Sequence, residues 1–159
     1  MKVDIYIAVE DRQPRKQDRW SGYIIKSKSS DKAQLVKAVK TFSTTNEAVI
    51  LTIIEALDRF TRPADITMYM DSSFVAGVAS KHPRKDGRIM SDLEIWQENG
   101  WRTARKTEVK NKDEWQKLYN KLRVFEQSSG TFAFEELDPE DRMRDRILRE
   151  IDTAKNREE

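Results

Sequence analysis

Apolar residues along this chain gather in compact runs separated by densely charged stretches. Val3 to Glu10 (VDIYIAVE) is apolar and β-branched and predicts a buried strand. Asp11 to Arg19 is polar and predicts a loop. Trp20 to Lys26 predicts a second strand, Ser27 to Gln34 a polar linker and Leu35 to Ser43 a third strand. Short links between these three strands point to an antiparallel meander. Thr44, Thr45 and Asn46 then supply helix N-cap chemistry, with Glu47 in the first turn. Ala48 to Phe60 is apolar on most faces and predicts a buried helix, stopped by Arg62-Pro63. Ile66 to Met70 predicts a strand, and Ser72 to about Ala79 a short helix. Lys81 to Gly87 predicts a basic turn, Met90 to Asn99 a helix ended by Gly100, and Trp101 to Val109 an exposed basic segment. Trp115, Leu118, Leu122 and Phe125 recur at helical spacing, so Lys112 to Glu126 predicts an amphipathic helix. Thr131 to Phe134 predicts a last short strand, and Asp141 to Ala154 a charged helix behind Pro139. The order predicts a mixed α/β sheet domain.

Composition narrows the function classes. At 159 residues, one domain with a real core is expected, spanning 1–154 with a frayed tail at 155–159. Charged residues make up 36% of the chain, yet the net charge is only +2. The distribution says more than the sum. Lys81 to Lys112 holds nine Lys/Arg against five Asp/Glu, a local +4. No cysteine is present, which excludes disulfides, thiolate catalysis and cysteine-bound zinc. The single histidine, His82, excludes a histidine cluster. No charged-then-apolar leader and no apolar run near 18 residues is seen, so a cytoplasmic protein without membrane attachment is expected.

Three strings carry a resemblance. Trp96, Trp101, Arg102 and Thr103 precede Val109, Lys110, Asn111, Asp113 and Trp115 in WQENGWRTARKTEVKNKDEW. Thr44-Thr45-Asn46 opens the long apolar helix. Met70-Asp71-Ser72-Ser73 with Val75 closes the fourth strand. Together these resemble type 1 ribonuclease H over nearly the whole chain. The resemblance implies a ribonuclease H-like five-stranded sheet: β1-β2-β3 antiparallel, then parallel strands, with helices on both faces and a basic protrusion. It also implies nucleic-acid contacts at Asn46, Ser73, Trp96, Trp101, Arg102, Thr103, Arg105, Lys106, Lys110 and Asn111.

The family's chemistry, as the resemblance implies it, needs four carboxylates around two divalent cations, Mg²⁺ or Mn²⁺. Here Asp71 keeps the third position, and Asp145, six residues after Pro139, falls at the fourth. Ala8 stands where the first acid belongs. Val49, or Ile50 after a shift of one, stands where the second belongs. Asp71 and Asp145 are therefore remnant catalytic and metal positions, with Glu10 and Glu47 as candidate substitutes. Asp71 also reads, without chemistry, as a helix N-cap or first-turn acid, and Asp145 as a partner of neighbouring arginines. The expected function is a catalytically impaired module that binds an RNA–DNA hybrid or double-stranded RNA and needs no cofactor. One alternative is a protein-interaction scaffold, with apolar replacements of the lost acids offering a patch. The other is an active, Mg²⁺- or Mn²⁺-dependent nuclease using Glu10, Glu47, Asp71 and Asp145.

Overall fold

The computed structural model describes residues 1–32 and 35–158. Ala33 and Gln34, the end of the expected polar linker, lie outside the described residues. The central sheet has the order β3-β2-β1-β4-β7. Its strands are β1 (Lys2–Val9), β2 (Gln17–Ser27), β3 (Leu35–Ser43), β4 (Asp65–Met70) and β7 (Thr131–Glu136). β1 pairs antiparallel with β2, and β2 with β3. β4 runs parallel to β1 on one side and to β7 on the other. The mixed five-stranded sheet read from the sequence is the one observed.

Strand parity divides the sheet into two apolar faces. Val3, Ile5, Ile7 and Val9 of β1, with Ile66, Met68 and Met70 of β4, point to one face. That face is covered by α1 (Thr45–Asp58), α2 (Ser73–Ala79) and α4 (Lys112–Gln127), with α3 (Asp92–Glu98) packed beside them. α1 lies between the sheet and α4, which explains why its apolar residues are not confined to one stripe. Ala8 and Ile24 point to the other face, where Met143, Ile147 and Ile151 of α5 (Arg142–Glu158) cover them. α5 rides close to β2: a Cβ at Gly22 would lie 2.7 Å from Ile147 Cγ2 and 2.8 Å from the Lys37 carbonyl oxygen.

Two local expectations are corrected. The basic turn after α2 is a small hairpin, β5 (His82–Pro83) against β6 (Ile89–Met90), closed by Gly87 at φ 88°. The expected frayed tail is helical as far as Glu158, with Lys155 paired to Glu10 and Lys40 to Glu158. No described helix is long and apolar enough to cross a membrane.

Candidate functional site

The site forms where β1 and β4 end side by side. Ile7 pairs with Met70, so the next residues, Ala8 and Asp71, leave the ladder together. Asp71 is buried, and both its oxygens are taken. Oδ2 accepts the Val9 backbone N–H at 2.9 Å, and Oδ1 accepts Nε–H of Arg144 at 3.2 Å. A terminal nitrogen of Arg12 lies 3.9 Å from the same Oδ1. Asp71 is not a helix cap: the neighbouring Ser72 caps α2 by accepting the Val75 N–H. Ser72 also donates to Asn46 Oδ1 at 3.1 Å, which ties this turn to the start of α1.

The other candidate acids do not join Asp71. Glu10 accepts the Trp20 N–H at 3.0 Å and pairs with Lys155. The hydrogen bond that Lys155 donates to Glu10 is the chief cause that raises the Lys155 pKa above its ordinary value. Glu47 is spent on a capping box. Its side chain accepts the Thr44 N–H at 3.1 Å, while Thr44 Oγ1 accepts the Glu47 N–H at 3.2 Å. Asp145 is exposed on α5, and the α5 residue that reaches Asp71 is Arg144. Ala8, Val49 and Ile50 are fully buried, so they are packing residues and present no apolar patch to a partner.

A two-cation centre does not fit these residues. Hard divalent cations need several converging oxygens, and among the described residues no three acidic or histidine side chains converge on one point. Asp71, the buried carboxylate at this corner, is already paired with a guanidinium.

Next to Asp71 opens a cleft of about 510 Å³. Its walls come from four parts of the chain. Arg12 and Pro14 belong to the loop between β1 and β2. Thr44, Thr45 and Asn46 open α1, and Ser73 and Phe74 open α2. Trp96, Thr103, Val109, Lys110, Asn111 and Trp115 close the far side. Buried Arg19 fixes the first wall by donating to Asp11 at 3.0 Å and to the backbone oxygens of Gln13 and Ser43. Thr45 Oγ1 donates to the same Gln13 oxygen at 2.7 Å. A charged loop thus acquires a set shape that carries Arg12 over Asp71.

The expected nucleic-acid residues separate into groups. Asn46, Ser73, Trp96, Thr103, Lys110 and Asn111 come together on the cleft. Arg102, Arg105 and Lys106 lie exposed on the adjoining loop, where the backbones of Arg102 and Glu108 form an isolated antiparallel β-bridge. Trp101 and Val109 are buried, which corrects the expectation that 101–109 is exposed throughout. Trp101 donates to Gln97 Oε1 at 2.8 Å and packs edge-on to Tyr119. Trp96 packs on Trp115 with ring centroids 5.8 Å apart, and exposed Phe74 packs on Trp115 from the cleft side. Trp101, Lys106 and Asn111 all have positive φ near 63°. Three left-handed non-glycine residues in one loop are a concentration of backbone strain typical of functional segments. Arg12, Pro14, Phe74 and Arg144 are site residues that the sequence motifs do not single out. Only Phe74, an apolar residue in the first turn of a helix after Asp71-Ser72-Ser73, left a trace there. A larger hollow of about 670 Å³ between α3, α4 and β7 is remote from Asp71.

The RNase H family model matches residues 11–128. The chain is 36% identical over 99 residues to a ribonuclease H of Rhodopseudomonas palustris strain BisB5. It is 36% identical over 97 residues to a ribonuclease H of Verminephrobacter eiseniae. These matches take in 62% and 61% of this chain and 59% and 55% of the relatives, so the chain spans little more than half their length. The fold is similar to RNase H1 of Halobacterium salinarum (TM-score 0.60, 14% identity, 97% of this chain and 99% of that one). It is likewise similar to LC11-RNase H1, solved in complex with an RNA/DNA hybrid (TM-score 0.60, 16% identity, 96% and 98%). The sheet order, the cleft and the family match agree: the chain belongs to the ribonuclease H family.

Proposed function

We propose that this chain binds a nucleic-acid duplex, an RNA–DNA hybrid before double-stranded RNA, without cleaving it. The observation that carries the reading is Asp71. Its oxygens serve Val9 and Arg144, and Ala8 and Val49, which the resemblance sets at two of the acid positions, are buried hydrocarbon. The cleft offers two amide side chains, Asn46 and Asn111, two exposed or half-buried aromatic rings, Phe74 and Trp96, and the cation Lys110. Arg102, Arg105 and Lys106 continue the positive surface beyond it. Cations contribute phosphate affinity, and a duplex close to A-form is recognised by its shape more than by base edges. The hybrid is favoured because LC11-RNase H1, a structural neighbour, is described in complex with an RNA/DNA hybrid.

An active Mg²⁺- or Mn²⁺-dependent nuclease is the second reading, favoured by the name ribonuclease H that the relatives carry. It requires Glu10 to leave Lys155 and Glu47 to leave its capping box. A labelled RNA–DNA hybrid incubated with the protein in Mg²⁺ and in Mn²⁺ separates the two. Retarded but intact hybrid is expected. Cleavage that disappears in Asp71→Asn overturns the binding-only reading, and failure to bind even at low salt removes the duplex as ligand.

A further inference from the structure

We infer that Arg12 and Arg144 form an anion site at the end of β4 that takes a backbone phosphodiester of the bound strand. This rests on the duplex-binding reading above. The polarity of the site is the starting point. The family resemblance implies cations on this carboxylate, supplied from solution. Here the cations are covalent. The Asp71 side chain is 1% exposed and offers little surface of its own to a ligand, whereas the side chains of Arg144 and Arg12 are 21% and 55% exposed. What this corner presents to solvent is therefore guanidinium, and the three groups together carry one net positive charge.

Arg144 is also held ready. Its hydrogen bond to Asp71 uses Nε, which leaves the two terminal nitrogens for another acceptor. Its position on α5 is set by Met143 and Ile147, which pack on the sheet on either side of it in sequence. A guanidinium already fixed by a carboxylate loses less freedom on binding, and its planar fork suits two oxygens of one phosphate. Arg12 makes the connection to the rest of the surface, since it both lies near Asp71 and lines the cleft. A strand seated between Phe74, Trp96 and Lys110 would bring its sugar–phosphate backbone to Arg12 and then Arg144. The chemical consequence is that binding needs no divalent cation, because the positive charge facing the phosphate is built in.

The test is titration of a short fluorescein-labelled RNA–DNA hybrid in EDTA across a series of KCl concentrations. Wild-type protein should bind without added metal. Arg12→Gln and Arg144→Gln should each weaken binding and lower the slope of log affinity against log salt by about one. Arg62→Gln, an exposed arginine just before the opposite end of β4, should leave affinity and slope unchanged. Circular dichroism checks the fold of each variant. If Arg144→Gln does not fold, Arg12→Gln decides alone, because its side chain is largely in water. Wild-type binding that keeps its slope in both arginine variants, or that appears only with Mg²⁺, overturns the anion site and leaves duplex binding standing. No binding by wild type at any salt concentration overturns both.

Discussion

The Asp71–Arg144 pair should behave as a coupled structural unit, and its strength can be worked from the geometry. Two unit charges about 4 Å apart attract by about 4 kcal/mol at an effective dielectric of about 20, before desolvation is subtracted. Removing one partner of a fully buried pair commonly costs about 3–5 kcal/mol. Here the cost is smaller. Arg144 keeps 21% of its side chain in water, and Arg12 stands 3.9 Å from the carboxylate, ready to close in. Arg144→Met should therefore cost about 2 kcal/mol. Asp71→Asn keeps an acceptor for the Val9 N–H but loses the charged hydrogen bond, which costs about 1.5 kcal/mol. The double variant has neither a stranded carboxylate nor a stranded guanidinium. It should be more stable than the sum of the singles predicts by about 1.5 kcal/mol. Urea unfolding of the four proteins at one pH measures the cycle, with equal m-values required. For a chain of this size the Arg144→Met loss corresponds to a fall in Tm of about 4–8 °C. Single effects that add within about 0.4 kcal/mol would show that the two groups do not interact, and with them would go the claim that Asp71 is neutralised by Arg144.

Three other outcomes are expected. Gly22→Ala places a Cβ against Ile147 and the Lys37 carbonyl, so it should cost about 1–3 kcal/mol by thermal unfolding; an unchanged Tm would mean α5 does not pack so closely. Thr44→Ala removes half of the capping box and should cost about 1 kcal/mol in urea, whereas a neutral result would show that Glu47 is free for other work. Burial chiefly, with neighbouring Asp4, Tyr69 and Asp141 adding to it, pushes the Tyr6 hydroxyl up to about 12 from 10.0. Below pH 10 the group is neutral in both states. Between 10 and 12 the unfolded chain loses this proton first, so stability falls as pH rises through that window. Tyr6→Phe should flatten the decline in urea midpoints there, and an identical slope in both proteins would contradict the shift.

Much of this fold can be read from local chemistry. Thr44 and Glu47 announce the start of α1, the stripe from Trp115 to Phe125 announces α4, and the strings around Asp71 and Trp96 identify the family. Those signals are short in range, because caps and helical periodicity depend on neighbours within a turn or two. The site needed longer-range information. Counting six residues from Pro139 selects Asp145, but adjacent helical residues differ by about 100° in direction. The register of α5 on the sheet turns Asp145 to solvent and Arg144 toward Asp71. Arg12 is one of several charges in DRQPRKQDR, and only the buried Arg19, which ties that loop to Gln13 and Ser43, singles it out. The β5–β6 hairpin was missed because each strand has two residues, too few to show alternation.

The hydrogen bond from Val9 to Asp71 has a practical use. The Val9 amide lies past the last β1–β4 register pair, Ile7 with Met70, and a side-chain oxygen 62 residues away in sequence serves as its acceptor. Its hydrogen exchange should therefore be slowed for as long as the carboxylate stays in place. A metal ion, an incoming strand or a substitution that draws Asp71 away would release that one amide while the rest of the strand stays protected. The Val9 resonance thus offers a label-free gauge of the carboxylate's engagement, readable in the intact protein whether or not any bond in a nucleic acid is ever cut.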